Sequence, residues 1–133
     1  MVTAEEFEQV LQGIKELERL RKRWRELKER SLLGTSGISC GQAKGGHSDR
    51  VFDRIAALDE LEREVKAREW QLIDRIYHPF YGYCWEDERP NAPRVWDILV
   101  SRCKGESWNA IGRTQGVQGS YCKRLVQQYR KRL

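Results

Sequence analysis

The sequence predicts an all-α fold with a long N-terminal helical hairpin followed by a C-terminal three-helix helix-turn-helix unit. Two observations lead to this prediction. Apolar residues recur at spacings of three and four through residues 4–30 and 49–76, and three short helical patterns separated by glycines follow residue 93. No period-two alternation is long enough for a sheet. The 133 residues, of which 39% are hydrophobic, suffice for one compact domain or two small units that share a core.

The first element is an amphipathic helix over residues 4–30. Its apolar positions lie between Glu, Lys and Arg: Phe7, Val10, Leu11, Ile14, Leu17, Leu20, Trp24 and Leu27. Thr3 and Glu6 have the spacing of a capping box, in which hydroxyl and carboxylate satisfy backbone donors at a helix start. Arg21 and Lys28 fall where a strict heptad requires apolar residues. We therefore expect a short antiparallel pairing and not an extended parallel coiled coil.

A segment rich in glycine and serine, residues 31–48, is predicted to be a flexible loop. A second helical pattern follows, with Asp49 as the expected N-cap. It carries one broad apolar face, formed by Val51, Phe52, Ile55, Leu58, Leu61, Val65, Leu72, Ile73 and Ile76. Residues 1–77 are therefore predicted to form a helical hairpin.

Residues 78–93 are predicted to be a linker, because all three prolines of the chain fall within them. The segment also contains Phe80, Tyr81, Tyr83 and Trp85, which are too many aromatic residues for an inert connection. We expect it to pack against the hairpin or the C-terminal unit.

Three short helices are predicted beyond the linker, over residues 94–103, 107–115 and 118–132, with Gly105 and Gly116 between them. Pro93 suits a first-turn position, and Ser107 suits the N-cap of the middle helix. Residues 94–133 form the predicted DNA-binding unit.

Residues 108–127 fit the helix-turn-helix pattern. Gly112 and Gly116 occupy the helix crossing and the turn, where that motif requires a small residue and a glycine. The same register points four residues inward: Ile111, Val117, Cys122 and Leu125. Gln115 and Gly119 depart from the pattern, since an apolar residue usually precedes the turn glycine and glycine is a poor helix former.

The charge of the chain is concentrated in this unit. Residues 94–133 contain nine Lys/Arg and two Asp/Glu, a net +7, whereas residues 1–93 contain 16 and 18, a net −2. If Cys122, Leu125 and Tyr129 face the core, the helical period turns a polar face outward. Its candidate base contacts are Arg124, Gln118 and Gln127, with Ser120 also facing the groove, and its candidate phosphate contacts are Lys123, Lys131, Arg113 and Tyr121. The alternative is a solvated terminal helix whose cations complement its own dipole.

The stretch RVWDILVSRCKGESWNAIG, residues 94–112, resembles the fourth conserved region of bacterial sigma factors, which ends in a helix-turn-helix. The layout of the whole chain is similar to small phage and prophage transcriptional regulators of the ArpU and RinA type. This resemblance implies a regulator that binds promoter or operator double-stranded DNA and contacts bacterial RNA polymerase. No residue pattern matches the sigma regions that melt promoter DNA, so we expect an accessory factor.

Three more specific hypotheses find little support in the sequence: a phosphate-binding loop, a zinc site and a catalytic site. Residues 41–48 differ by one residue from a phosphate-binding loop, but His47 replaces the essential lysine and no strand precedes it. Cys84, Cys103 and Cys122 with His78 lack the local pairs of structural zinc sites. No catalytic set can be localised, so we expect no enzyme, no cofactor and no metal. The cysteines, Cys40 included, are predicted to be free thiols.

Two rival functions remain open, a DNA-packaging recognition subunit of the small-terminase type and an RNA-polymerase-binding protein that does not touch DNA. The hairpin is expected to pair with a second copy in a four-helix homodimer. The expected seam is Phe7, Ile14, Leu17, Leu58 and Val65, with Trp24 and Trp70 in or beside it. No membrane span or signal peptide is recognised, which predicts a cytoplasmic protein.

Overall fold

A computed structural model describes residues 2–37, 46–78, 80 and 82–133. The described part contains six helices and no strand, which confirms the all-α prediction. The helices are α1 (Ala4–Gly37), α2 (Gly46–Tyr77), α3 (Tyr83–Glu86), α4 (Ala92–Cys103), α5 (Trp108–Gln115) and α6 (Gly119–Arg132). Within these residues no helix combines the length and the apolar character that crossing a membrane requires.

The start of α1 has the predicted capping box. The backbone N–H of Glu6 donates to the Thr3 hydroxyl oxygen at 3.1 Å, and the backbone N–H of Thr3 donates to the Glu6 carboxylate at 3.1 Å. Both bonds satisfy donors that the first helical turn leaves without a partner. The polypeptide enters the helix in a defined direction, which places Val2 and Phe7 in the core.

The predicted boundaries of the loop between the two long helices are wrong at both ends. Helix α1 continues seven residues beyond Arg30 to Gly37, and α2 begins at Gly46, so Asp49 is inside the helix and is not its N-cap. Adding a residue to an existing helix costs far less than nucleating one, and Leu32 and Leu33 favour helix. The centre of the predicted loop, residues 38–45 with Cys40, lies outside the described residues.

The chain divides into two compact units, and the division differs from the predicted boundaries after residues 77 and 93. The main unit combines Met1–Leu17 with Arg68–Leu133, and the hairpin unit is Glu18–Ala67. The reason lies in the aromatic core of the main unit. The ring of Phe7 meets Trp96 edge-on at 5.6 Å between centroids and meets Tyr129 at 5.3 Å. The first turns of α1 thus belong to the same core as the C-terminal helices.

The predicted packing of the aromatic linker is confirmed by Tyr83, which is buried and stacks on Trp96 with 5.5 Å between ring centroids. The linker also contributes Asp87, a carboxylate that is almost completely buried. Asp87 accepts hydrogen bonds from the indole N–H of Trp96 at 2.8 Å and from the backbone N–H of Arg89 at 3.2 Å. A buried carboxylate needs such donors, since removing it from water without them is costly.

Helices α1 and α2 run antiparallel within the main unit, as predicted. Glu16 of α1 accepts a hydrogen bond from Arg68 of α2 at 3.1 Å. One turn earlier in α1, Gly13 lies so close to Leu72 that an added Cβ would be 2.9 Å from the leucine methyl carbons. The contact partners move backward along α2 as α1 advances, which defines the antiparallel pairing.

The predicted dimer seam is largely occupied within one chain, which corrects the argument that it needs a second copy. Phe7, Ile14 and Leu17 are buried in the main unit. The broad apolar face expected of α2 is also only partly used, because Phe52 and Ile55 remain 69% and 49% exposed. A helical period assigns residues to a face, but it does not say which part of a long face finds a neighbour.

Candidate nucleic-acid interface

Helices α5 and α6 pack closely at Gly112 and are joined by a turn at Gly116, the two glycine positions expected of a helix-turn-helix. A Cβ on Gly112 would lie 2.6 Å from the Val117 carbonyl oxygen and 2.7 Å from the Gly119 backbone nitrogen. Only glycine fits there without moving the backbone. Gly116 has φ of +72°, a left-handed conformation that glycine adopts without steric cost. The turn is closed by the Val117 N–H, which donates to the Gly112 carbonyl at 2.9 Å.

Gly119, which the sequence pattern treated as a departure, also has a packing reason. A Cβ at this position would lie 2.7 Å from the carbonyl carbon and oxygen of Trp108. The start of α6 therefore approaches the backbone of α5 as closely as glycine allows. This approach offsets the low helix propensity of glycine, which is about 1 kcal/mol below that of alanine.

Helix α5 is fixed at both ends. The Ser107 hydroxyl accepts the Ala110 backbone N–H at 3.2 Å, as expected for the N-cap, and Gly116 ends the helix. Arg94 of α4 donates to the carbonyl of Gln115 at 3.2 Å. That bond satisfies one of the carbonyls that a helix end leaves without a partner. Any residue at position 115 would offer this carbonyl, so the bond does not depend on the half-buried Gln115 side chain.

The inward register of the motif agrees with the structure. Ile111, Cys122 and Leu125 are buried, and Val117 is half-buried. Tyr129, one turn beyond Leu125, is also buried and meets Phe7 of α1. The rotation of α6 about its axis is therefore set by contacts with α1, α4 and α5.

That rotation leaves every predicted DNA-contacting side chain exposed. Ser120, Lys123, Arg124, Gln127 and Lys131 follow one another along the outer face of α6. Gln118 is the N-cap residue of α6, Tyr121 is in its first turn, and both are exposed, as is Arg113 on α5. All eight candidates thus lie on the solvent side of one helix pair.

The outer face of this pair is strongly cationic. Residues 107–133 contain six Lys/Arg and no Asp/Glu. One of the six, Arg130, pairs with Glu8 of α1 through two hydrogen bonds, of which the Nη2 to Oε2 bond measures 3.0 Å. Both side chains are about half exposed, so the pair contributes little to stability. It does join the last turn of α6 to α1.

One cation near this surface was not predicted. The guanidinium of Arg102 lies 4.7 Å from the centre of the Trp108 ring, and it donates to the Glu106 carbonyl at 3.0 Å. The two contacts hold the charge beside the N-terminus of α5. No sequence signal indicated this pairing, because the six residues from Arg102 to Trp108 cross the end of α4, where helical periodicity does not specify which side chains meet.

The described residues contain no cluster of metal-binding side chains. No group of three or more His, Cys, Asp or Glu among them could hold a metal ion, and Cys84, Cys103 and Cys122 are free thiols. Among the described residues, the Tyr77 hydroxyl donates to the Asp97 carboxylate. Burial and this adjacent carboxylate raise the pKa of the phenol, so it keeps its proton further into the alkaline range than an ordinary tyrosine does.

Comparison of the chain with known proteins found no match. No protein-family model matches it, and no curated protein or solved structure matches it at a significant score.

Proposed function

We propose that this protein is a sequence-specific DNA-binding transcriptional regulator that inserts α6 into the major groove of promoter DNA. The observation that carries the proposal is the outer face of α6, which is cationic and amide-bearing and lacks carboxylates. A helix of this kind fits the major groove, which is about 12 Å wide in B-DNA. The alternative of a solvated terminal helix does not explain why close backbone contacts at Gly112 and Gly119 hold α6 against α5 in this register.

Base recognition is assigned to three side chains. Arg124 grips guanine through two hydrogen bonds to O6 and N7, and Gln127 and Gln118 pair with adenine through its N6 and N7 atoms. Four further side chains bind phosphate and fix the register of the protein on the duplex: Lys123, Lys131, Arg113 and Tyr121. Ser120 faces the groove. Arg102 of α4, which lies over the Trp108 ring at the start of α5, adds a phosphate contact, because the first helix of such a motif, here α5, crosses the DNA backbone.

The proposed DNA target and protein partner are based on the resemblance of residues 94–112 to a sigma-factor region. We propose promoter DNA of a phage or prophage as the target and bacterial RNA polymerase as a second partner. Mobility shift on promoter fragments, with and without polymerase, tests this directly. A shift that requires polymerase would favour the rival protein that never touches DNA, and a large closed ring in light scattering would favour a packaging subunit.

Two substitutions on α6 are expected to act differently. Arg124→Ala should relax sequence preference by about 1 to 3 kcal/mol at one base pair, because a bidentate base contact is lost. Lys131→Ala should weaken binding to all sequences alike, because a phosphate contact carries no sequence information. Selection of binding sites from random duplexes, run in parallel on both variants, measures the difference. Unchanged preference in the Arg124 variant would show that the groove assignment is wrong.

We also propose that the protein binds DNA as a homodimer, since one helix-turn-helix spans few base pairs and paired half-sites are the common solution. The hairpin unit supplies the apolar surface that this requires, because Phe52 and Ile55 lie one turn apart on α2 and are exposed. Light scattering should give twice the chain mass at micromolar concentration. The Phe52→Ser, Ile55→Ser double variant should give the chain mass and bind DNA more weakly. A wild-type monomer would refute the dimer without affecting the assignment of α6.

A further inference from the structure

Four large aromatic side chains of the main unit are exposed and have no part in the proposed DNA contact. Trp70 is 68% exposed, Tyr77 39%, Phe80 81% and Trp85 64%. All lie between residues 70 and 85, at the end of α2 and in the segment after it. We call this surface the aromatic face. Large exposed apolar patches are uncommon on proteins without partners, and tryptophan and tyrosine dominate the energetics of protein interfaces.

Helical spacing and local hydrogen bonds position the residues of the aromatic face. Trp70 and Tyr77 are seven residues apart, which places them on one side of α2. The indole N–H of Trp85 donates to the Tyr77 carbonyl at 2.8 Å, so the third ring is attached to the end of α2. The Phe80 backbone N–H donates to Nδ1 of His78 at 3.2 Å.

A close turn keeps this arrangement in place. The Gly82 N–H donates to the His78 carbonyl at 2.6 Å. A Cβ on Gly82 would lie 2.5 Å from the backbone nitrogen and oxygen of His78, so the turn accepts only glycine. The rings are thus presented by a packed segment, which lowers the entropy lost on binding.

Carboxylates border the aromatic face. Asp97 of α4 is exposed and accepts the hydrogen bond of the Tyr77 hydroxyl. Asp74 is exposed, and its spacing of four from Trp70 and three from Tyr77 puts it beside both rings. The surface therefore combines flat aromatic rings with negative charge.

This combination favours one class of partner. Two copies joined face to face would bring Asp74 and Asp97 of each against like charges, which disfavours self-association. Arginine fits both features, since its guanidinium stacks on tryptophan and tyrosine rings and pairs with carboxylates. We propose that the aromatic face binds a basic, arginine-containing segment of another protein, independently of DNA binding by α6.

The test uses the full-length protein and a random 12-residue peptide library displayed on phage. The enriched peptides should carry net positive charge and contain arginine. One of them, synthesised with a fluorescent label, should bind with an affinity that Trp70→Ser and Asp97→Asn each lower at least tenfold. The matched control is Asp59→Asn, which removes an exposed carboxylate of the hairpin unit and should leave the affinity unchanged. DNA affinity of the Trp70→Ser variant should equal that of the wild type.

Three results would overturn the proposal. They are an absence of enriched peptides, an enriched set that is neutral or acidic, and a peptide whose affinity is insensitive to Trp70→Ser. Dissociation of a wild-type dimer by Trp70→Ser would also overturn it and would assign the face to a second copy. Circular dichroism checks that each variant is folded. We expect this result because the substituted side chains are exposed. None of these outcomes changes the assignment of α6 as the helix that contacts DNA.

Discussion

Replacing Trp96 with alanine is expected to destabilise the protein by about 3 to 5 kcal/mol, a large part of the stability of a typical small domain. Trp96 is completely buried, and its ring contacts Phe7, Tyr83 and Tyr129. Truncation leaves a cavity among these rings. It also removes the indole N–H that donates to Asp87, so a buried carboxylate loses a hydrogen bond.

Urea unfolding followed by far-ultraviolet circular dichroism measures this effect. Trp70→Ala is the matched control, because the Trp70 side chain is 68% exposed, and its cost should stay within about 0.5 kcal/mol. Equal urea midpoints for the Trp96 variant and the wild type would contradict the core described above. Since DNA binding requires the folded helix pair, the Trp96 variant should also lose DNA affinity.

The second large effect is the loss of DNA affinity as the salt concentration rises. If residues 94–133, with nine Lys/Arg, neutralise roughly five to seven phosphates, log K should fall against log salt with a slope of about −4 to −6. Between 50 and 200 mM salt, such slopes correspond to losses of roughly 300-fold to 4,000-fold in affinity. This salt dependence is expected because residues 107–133 contain six Lys/Arg and no carboxylate.

Fluorescence anisotropy with a labelled duplex at several salt concentrations gives this slope. The Lys123→Gln, Lys131→Gln double variant should reduce its magnitude by about 2, one for each phosphate contact removed. The control is Lys66→Gln, which removes a cation that pairs with Glu62 in the hairpin unit and should leave the slope unchanged. A slope near zero in the wild type would remove the DNA proposal altogether.

Because α6 packs against α1, the N-terminal residues cannot be deleted without affecting the C-terminal helices. Tyr129 of α6 is buried against Phe7, and Arg130 pairs with Glu8. The three C-terminal helices therefore share their core with the first turns of the chain. Point substitutions on the surface are the appropriate way to test the hairpin, because deleting the N-terminal residues would open this core.

Local features of this protein were determined by the sequence. The capping box of Thr3 and Glu6 formed as predicted, and Ser107 caps α5. The inward register from Ile111 to Leu125 was also correct. These features depend on residues within about one or two helical turns of each other, where spacing and backbone geometry nearly suffice to specify the contact.

Tertiary structure alone decided the rest. The shared core of Phe7 and Trp96 joins residues 89 positions apart, and no periodic pattern encodes which aromatic residue meets which. Sequence alone shows Gly119 only as a poor helix former. Its close approach to the backbone of Trp108 is a contact between two helices, which only the structure reveals. The aromatic face follows the same rule. Composition predicted that the aromatic linker packs, but it did not predict which ring is buried. The core has a limited volume, which holds the Tyr83 ring and leaves Trp85 and Trp70 at the surface.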